Sequence, residues 1–278
     1  MLLVAKPAGP TSHDMVDIVR RALGTRRVGH TGTLDPFAEG LLVMLVGRAT
    51  RLAPFAAAWT KSYEGRVRLG ATTDSGDATG AVQEQRPVAV DRDGVEHTLA
   101  QFRGTVRQRP PAYSAVKVEG ERAYRRARRG EVVEPAERDV EITALEVTAF
   151  APPDVEFRAT VSAGTYLRSL ARDIGAALGC GGHLAALRRT AVGPFRLEQA
   201  VAPAAAGPAS LLSPGVLVRH LGRRDVDAAE RDAVVHGRWI AASGDAATTP
   251  VAMFAGDTLV AVADRSGDVW KPRVVLAD

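Results

Sequence analysis

Two segments of the chain constrain its architecture more than any motif does. Tyr63, Gly65, Val67 and Leu69 alternate with Glu64, Arg66 and Arg68, and Val155, Phe157, Ala159 and Val161 alternate in the same way with their neighbours. A period of two sends successive side chains to opposite faces of a sheet, so each segment reads as a half-buried strand, with Tyr63 on the inward side. The continuous apolar run 41–46 reads as a buried strand. Helical spacing occurs elsewhere. Thr11-Ser12-His13-Asp14 offers an N-cap, Met15, Val19, Ala22 and Leu23 share a face, and Gly24 is a stop. Leu167, Leu170, Ala171, Ile174, Ala177 and Leu178 form a second apolar stripe ended by Gly179, with Arg168 and Arg172 lying off it one turn apart. These elements do not follow βαβ order. The expected fold class is therefore α+β, a largely antiparallel mixed sheet flanked by helices.

A length of 278 residues suggests two domains at roughly 150 residues each. The stretch 200–214, rich in Ala, Pro, Gly and Ser, is the best linker, which divides the chain into 1–205, a linker at 206–215 and a small β-rich module at 216–278. Within that module, 227–235 reads as a short helix, and 251–254 with 259–262 as a hairpin around Gly256-Asp257. The single Cys180 cannot form an intrachain disulfide. Residues 1–7 lack the basic start of a signal peptide, and no apolar run approaches the roughly 18 residues of a membrane helix. A cytoplasmic protein without membrane attachment is expected.

The formal net charge of +4 conceals an uneven distribution. Between Gln101 and Gly130 nine basic residues (Arg103, Arg107, Arg109, Lys117, Arg122, Arg125, Arg126, Arg128 and Arg129) face two acids, Glu119 and Glu121, a window of +7 on a remainder of −3. A basic block on an otherwise acidic chain is the footprint of a polyanion binder; a solvated helix face is the plainer alternative. The window interrupts the strand pattern, as an excursion from the core would.

Several kinds of chemistry lack their motifs. There is no Gly-x-x-x-x-Gly-Lys phosphate loop and no His-Glu-x-x-His, and the six histidines show no metal-ligand spacing. Asp74-Ser75-Gly76-Asp77 is superficially like a calcium loop, but Thr79 and Gln85 stand where that loop requires Gly and Glu. No cofactor and no metal are expected. What stands out is Gly29-His30-Thr31-Gly32-Thr33-Leu34-Asp35-Pro36, a tight loop that holds an aspartate before a proline. Two readings are open: an Asx-turn in which Asp35 bonds its own backbone, or a carboxylate held rigidly as nucleophile or base.

Five blocks, in order, carry a resemblance over nearly the whole chain. They are Lys6-Pro-Ala-Gly-Pro-Thr-Ser12; the loop 29–36 with Gly40; Lys61-Ser-Tyr63 through Arg68-Leu-Gly70 to Thr73-Asp-Ser-Gly-Asp77; Pro110-Pro-Ala-Tyr-Ser-Ala-Val-Lys117; and Gly164-Thr-Tyr-Leu-Arg168 through Leu178-Gly-Cys-Gly-Gly-His183 to Leu187-Arg-Arg189. With these the chain resembles the bacterial tRNA pseudouridine synthases of the TruB type, which isomerise uridine 55 in the T loop. The resemblance implies that Asp35 is the catalytic aspartate, Tyr63 the tyrosine that stacks on the target base, and Arg168 the basic partner of the aspartate. It implies that His30, Asp77, Tyr166, Leu187 and Lys6 contribute to substrate binding; Ala5 stands before Lys6 where the family usually has Asp.

It further implies a catalytic domain at 1–205 and a PUA-like module at 216–278. The excursion 104–139 corresponds to an RNA-gripping insertion, whose Arg107, Arg109, Lys117, Arg122, Arg125, Arg126, Arg128 and Arg129 contact phosphates. The expected partner is the T stem-loop of tRNA, bound by a monomer without guide RNA. Two competing readings are an RNA-binding chaperone that reshapes tRNA and for which turnover is secondary, and a guide-RNA-dependent synthase. The basic insertion and the lack of long charged tails weigh against the second.

Overall fold

The structure, a computed structural model, describes residues 1–242 and 249–276; residues 243–248 and 277–278 of the expected C-terminal module lie outside the described residues. Its larger sheet runs in the order Leu2–Lys6, Glu39–Val46, Gly182–Val192, Lys61–Leu69, Asp154–Val161, Arg138–Ala151 and Gly104–Gln108, with Val28–His30 and Phe195–Arg196 paired at the side. All pairings between these strands are antiparallel except one. Gly182–Val192 lies parallel to Glu39–Val46 through Arg188↔Glu39 and Arg189↔Gly40, and this seam joins two antiparallel halves into the mixed sheet expected. The alternating segments 61–69 and 155–161 are neighbours in register, with Tyr63 opposite Ala159.

The first helix, Ser12–Leu23, begins at Thr11, whose side chain accepts from the Asp14 N–H, while Asp14 returns the bond to Thr11. Gly24, with φ +60°, closes it in the left-handed conformation that the stop required. The second helix, Leu167–Ala177, packs directly on Gly182–Val192. At their contact a Cβ on Gly175 would lie 2.2 Å from the Gly182 nitrogen. Bare backbone on both sides lets the helix sit this close to the sheet, which sets the depth of Arg168.

Gly104–Gln108 runs as the edge strand of the large sheet against Arg138–Ile142, so the segment that leaves the sheet spans 109–137. It carries a small hairpin, Lys117–Val118 with Glu121–Arg122, and a short helix, Ala123–Arg128, over a core of Ala123, Ala127 and Val133.

Residues 200–214 form short 3-10 turns that lie along the first strand: the Ala5 N–H donates to Val201, Val201 to Leu3 and Leu212 to Met1. Beyond them, a five-stranded sheet (222–225, 251–255, 258–266, 269–275 and 240–241) carries the helix Ala228–Val235. One apolar cluster continues from Leu3, Leu41 and Val43 through Leu217 to Phe254 and Val262, so the two sheets share a core.

Gly175→Ala is expected to force the helix off the sheet and to cost about 3 kcal/mol. Urea unfolding should show a lower midpoint at unchanged m-value.

Candidate active site

Asp35 lies in the loop that leads into Glu39–Val46, and three buried polar side chains brace that loop from beneath. The Ser12 hydroxyl accepts from the Leu34 N–H at 2.9 Å and donates to the Leu34 carbonyl at 3.0 Å. Arg189, 2% exposed, donates to the carbonyls of Leu41, Thr33 and Gly32. Lys6, 1% exposed, donates from Nζ to the carbonyls of Pro7, Pro36 and Ala38 at 2.9, 3.1 and 2.6 Å. Burial pushes its ammonium below the ordinary lysine range. Lys6 thus lies under the loop rather than in the cleft above it, where a substrate-binding lysine was expected.

Arg168 approaches the same loop from the first turn of Leu167–Ala177. Its Nε and Nη2 donate to the two carboxylate oxygens of Asp35 at 2.9 and 3.1 Å, a bidentate fork. The rest of the guanidinium is also engaged: Nη1 donates to Ser75 O at 3.0 Å, Nη2 to Tyr113 O at 2.8 Å, and Asp77 stands 3.7 Å away. Arg168 is 4% exposed, whereas the Asp35 side chain keeps 33% of its surface open. The apolar stripe does not reveal this burial, because the partners come from three distant segments. The pair leaves the carboxylate fixed in direction and open on one side.

Asp77 is itself held by its own turn. Its Oδ1 accepts from Ser75 Oγ, Thr79 N and Thr79 Oγ1 at 2.9, 3.0 and 2.5 Å, so it braces the turn and the Arg168 charge together.

Above Asp35 opens a cleft of about 1030 Å³. Tyr63, 7% exposed, and Leu187 belong both to its wall and to the core. His30 and Tyr166 also line it. Burial, then the charge of Arg189, holds the His30 imidazole below its usual range, and its Nδ1 is buried without a partner among the described residues. From the excursion, Tyr113, Ser114, Tyr124 and Arg128 complete the rim.

The cations expected to grip RNA, Arg107 on the edge strand and the rest in the excursion, fall into two groups. Arg126 bonds Glu119 and Glu131, Arg129 bonds Glu121 and Glu131, Arg109 bonds Glu134 and Glu137, and Arg107 bonds Glu137. Among the described residues, Lys117, Arg122, Arg125 and Arg128 have no acid within ion-pair distance, and all four are exposed; Arg128 lies over the Tyr124 ring. Three of the five acids that pair with the first group, Glu131, Glu134 and Glu137, lie beyond Gly130, outside the window that read as +7.

Ser12, Lys61 and Arg189 are functional supports that motif reading quoted but did not assign. Lys61 and Arg189 share strand parity with inward-facing Tyr63 and Leu187, so an inward-facing cation was the available signal.

The chain belongs to the TruB family pseudouridylate synthases: the N-terminal domain of that family matches residues 20–167, and the tRNA pseudouridylate synthase B C-terminal domain matches 168–204. It is a pseudouridine synthase. It is 47% identical to tRNA pseudouridine synthase B of Thermobifida fusca over 100% of this chain and 98% of that protein. With the protein of the same name from an Azoarcus species it shares 42% identity over 100% and 94%. Among solved structures, a Cbf5-Nop10-Gar1 complex is similar at 27% identity and TM-score 0.76, over 99% of this chain and 84% of that one. An H/ACA RNP bound to a substrate RNA containing 2'-deoxyuridine is similar at 25% identity and TM-score 0.76, over 100% and 84%.

Lys61 provides a pH test of the site's packing. Its Nζ donates to the carbonyls of Trp59 and Ala57, and burial, then the charge of Arg189, pushes it down to about 8 from 10.5. Between those two values the unfolded chain holds a proton that the folded chain lacks, so stability rises with pH across the window. From pH 8 to pH 10 the unfolding free energy of the wild type should gain on that of Lys61→Met, by at most about 1.4 kcal/mol per pH unit. A wild-type minus variant difference in unfolding free energy that stays flat or falls as pH rises would rule out this assignment.

Proposed function

We propose that this chain isomerises uridine 55 in the T loop of tRNA, with Asp35 as the catalytic carboxylate. The observation that carries the reading is the bidentate grip of buried Arg168 on a half-open Asp35 at the base of the cleft. The reaction breaks the N1–C1′ glycosidic bond, turns the uracil and forms a C5–C1′ bond. N1 gains a proton and C5 loses one, so atoms and electrons balance without a co-reactant. A carboxylate at the sugar–base junction suits the bond changes, provided that it is held still; Arg168 holds it and donates only hydrogen bonds.

The uracil must leave its stack and stay captive after cleavage. Tyr63 offers a plane for the flipped base, with Leu187 as an apolar wall and Tyr166 and neutral His30 beside it. Asp77 serves the base indirectly, through Arg168. Lys6 serves it only through the loop backbone. The excursion 109–137 would hold the phosphates, chiefly through its four cations without acidic partners. We place the activity in the cytoplasm, on tRNA, by a single chain without guide RNA.

Asp35→Asn is expected to abolish pseudouridine formation in a T stem-loop, read by modification mapping, while tRNA binding stays within a few-fold of wild type. Binding without conversion by the wild type itself would defeat the enzyme reading and leave an RNA-reshaping role. For the grip, Ala at Lys117, Arg122, Arg125 or Arg128 should each lower the slope of log Kd against log salt by about 0.7–0.9. Ala at Arg126 or Arg129, whose charges are already met by glutamates, should change it by less than half as much. Equal slopes in the two groups would remove the distinction.

A further inference from the structure

The excursion leaves the sheet after Gln108 and returns at Arg138, and these two residues face each other as cross-strand partners. Both reach across to Tyr166. The carboxamide of Gln108, 2% exposed, accepts from the Tyr166 N–H at 2.8 Å and donates through Nε2 to the Tyr166 carbonyl at 3.1 Å. Arg138 lays its guanidinium over the Tyr166 ring, 4.9 Å from the centroid, and donates to the carbonyl of Gly164. Tyr166 is the N-cap of Leu167–Ala177 and provides no side-chain cap of its own. A parallel set of contacts ties the next residues of the excursion to the same helix turn: Ser169 Oγ donates to Arg109 O at 2.7 Å, and Arg168 Nη2 to Tyr113 O at 2.8 Å.

We propose that Gln108 and Arg138 are positioning residues, a clamp at the root of the excursion that sets Tyr166, and through the helix start the Arg168–Asp35 pair, in register with RNA held by the excursion. This rests on the T-loop reading above. An amide bonded to both the N–H and the C=O of one residue fixes that residue in place and in rotation. A guanidinium held over its ring and bonded to the Gly164 carbonyl restrains that ring. Neither residue lines the cleft, so neither touches the reacting atoms. Their effect is on where Tyr166 and Arg168 stand when the phosphates are seated. A misplacement of about 1 Å at a reacting group can cost on the order of 100-fold in rate.

The test compares single-turnover conversion, steady-state kinetics and Kd for a T stem-loop RNA across wild type, Gln108→Leu, Arg138→Met, Arg138→Lys and the double variant Gln108→Leu/Arg138→Met. Each of the two substitutions to an apolar residue should lower kcat about 10- to 100-fold with KM and Kd within about twofold of wild type. Arg138→Lys should not restore kcat, because it keeps the charge but loses the guanidinium fork that meets the Tyr166 ring and the Gly164 carbonyl together. The double variant should be little worse than the poorer single one, as expected of residues acting on one target.

Unchanged kcat would overturn the proposal. So would a loss confined to Kd or KM that Arg138→Lys repairs, the signature of direct phosphate contact, and so would losses that multiply. Thermal unfolding is followed in parallel; if Gln108→Leu does not fold, the partly exposed Arg138 carries the test alone. Failure of the wild type to convert this RNA would instead refute the T-loop reading, and the clamp with it.

Discussion

A buried guanidinium must find a partner for every N–H or lose the solvation that it gave up on folding, and Arg168 is such a group. It meets the requirement with Asp35, Ser75 O, Tyr113 O and nearby Asp77. Four parts of the chain are thereby gathered around one side chain: the Asp35 loop, the turn at 75–77, the start of the excursion and the helix that carries Arg168. Removing either member of such a pair would strand the other and cost several kcal/mol, on the order of 3–5 for full burial, so the same contact organises both stability and chemistry. Gly175 sets how deep the helix lies, and Ser12, Arg189 and Lys6 hold the loop that presents the carboxylate.

The arrangement of cations around the site follows one logic. Lys6, Lys61 and Arg189 lie inside the protein and donate hydrogen bonds to backbone carbonyls, which stiffens loops that no regular ladder could hold. The cations of the excursion stay in water, and about half of them are already tied to glutamates. Over 109–137 seven basic residues meet five acids, so the segment is far less positive than the window between Gln101 and Gly130 suggests. Its polarity is local. The cations without acidic partners occur between residues 117 and 128, and one of them, Arg128, reaches the rim of the cleft.

Much of the fold was legible because period two and period 3.6 are properties of contiguous residues. The strands around Tyr63 and Phe157, the capped helix after Thr11 and the hairpin at Gly256 all emerge at or near their expected places. The parallel seam between Glu39–Val46 and Gly182–Val192 was not legible, because two residue pairs joined across about 150 positions leave no periodic trace. Gly104–Gln108 is similar: its Thr-Val-Arg-Gln sequence reads as part of the basic stretch until Arg138–Ile142 lies beside it.

Within the site, a loop of Gly, His, Asp and Pro and an inward aromatic are visible in one dimension and made Asp35 and Tyr63 candidates. The roles of Asp35, Tyr63 and Arg168, however, came from the family resemblance that the motif blocks carry. The sequence by itself determined the residue types, the strand faces and the order of the blocks. Only the tertiary structure decided that Arg168 is buried on Asp35, that Lys6 lies beneath the loop, and that Gln108 and Arg138 converge on Tyr166. The physical reason is the same in each case. A buried polar group takes its meaning from the acceptors and donors that surround it, and here those come from segments far apart in the chain, which only folding brings within hydrogen-bond reach.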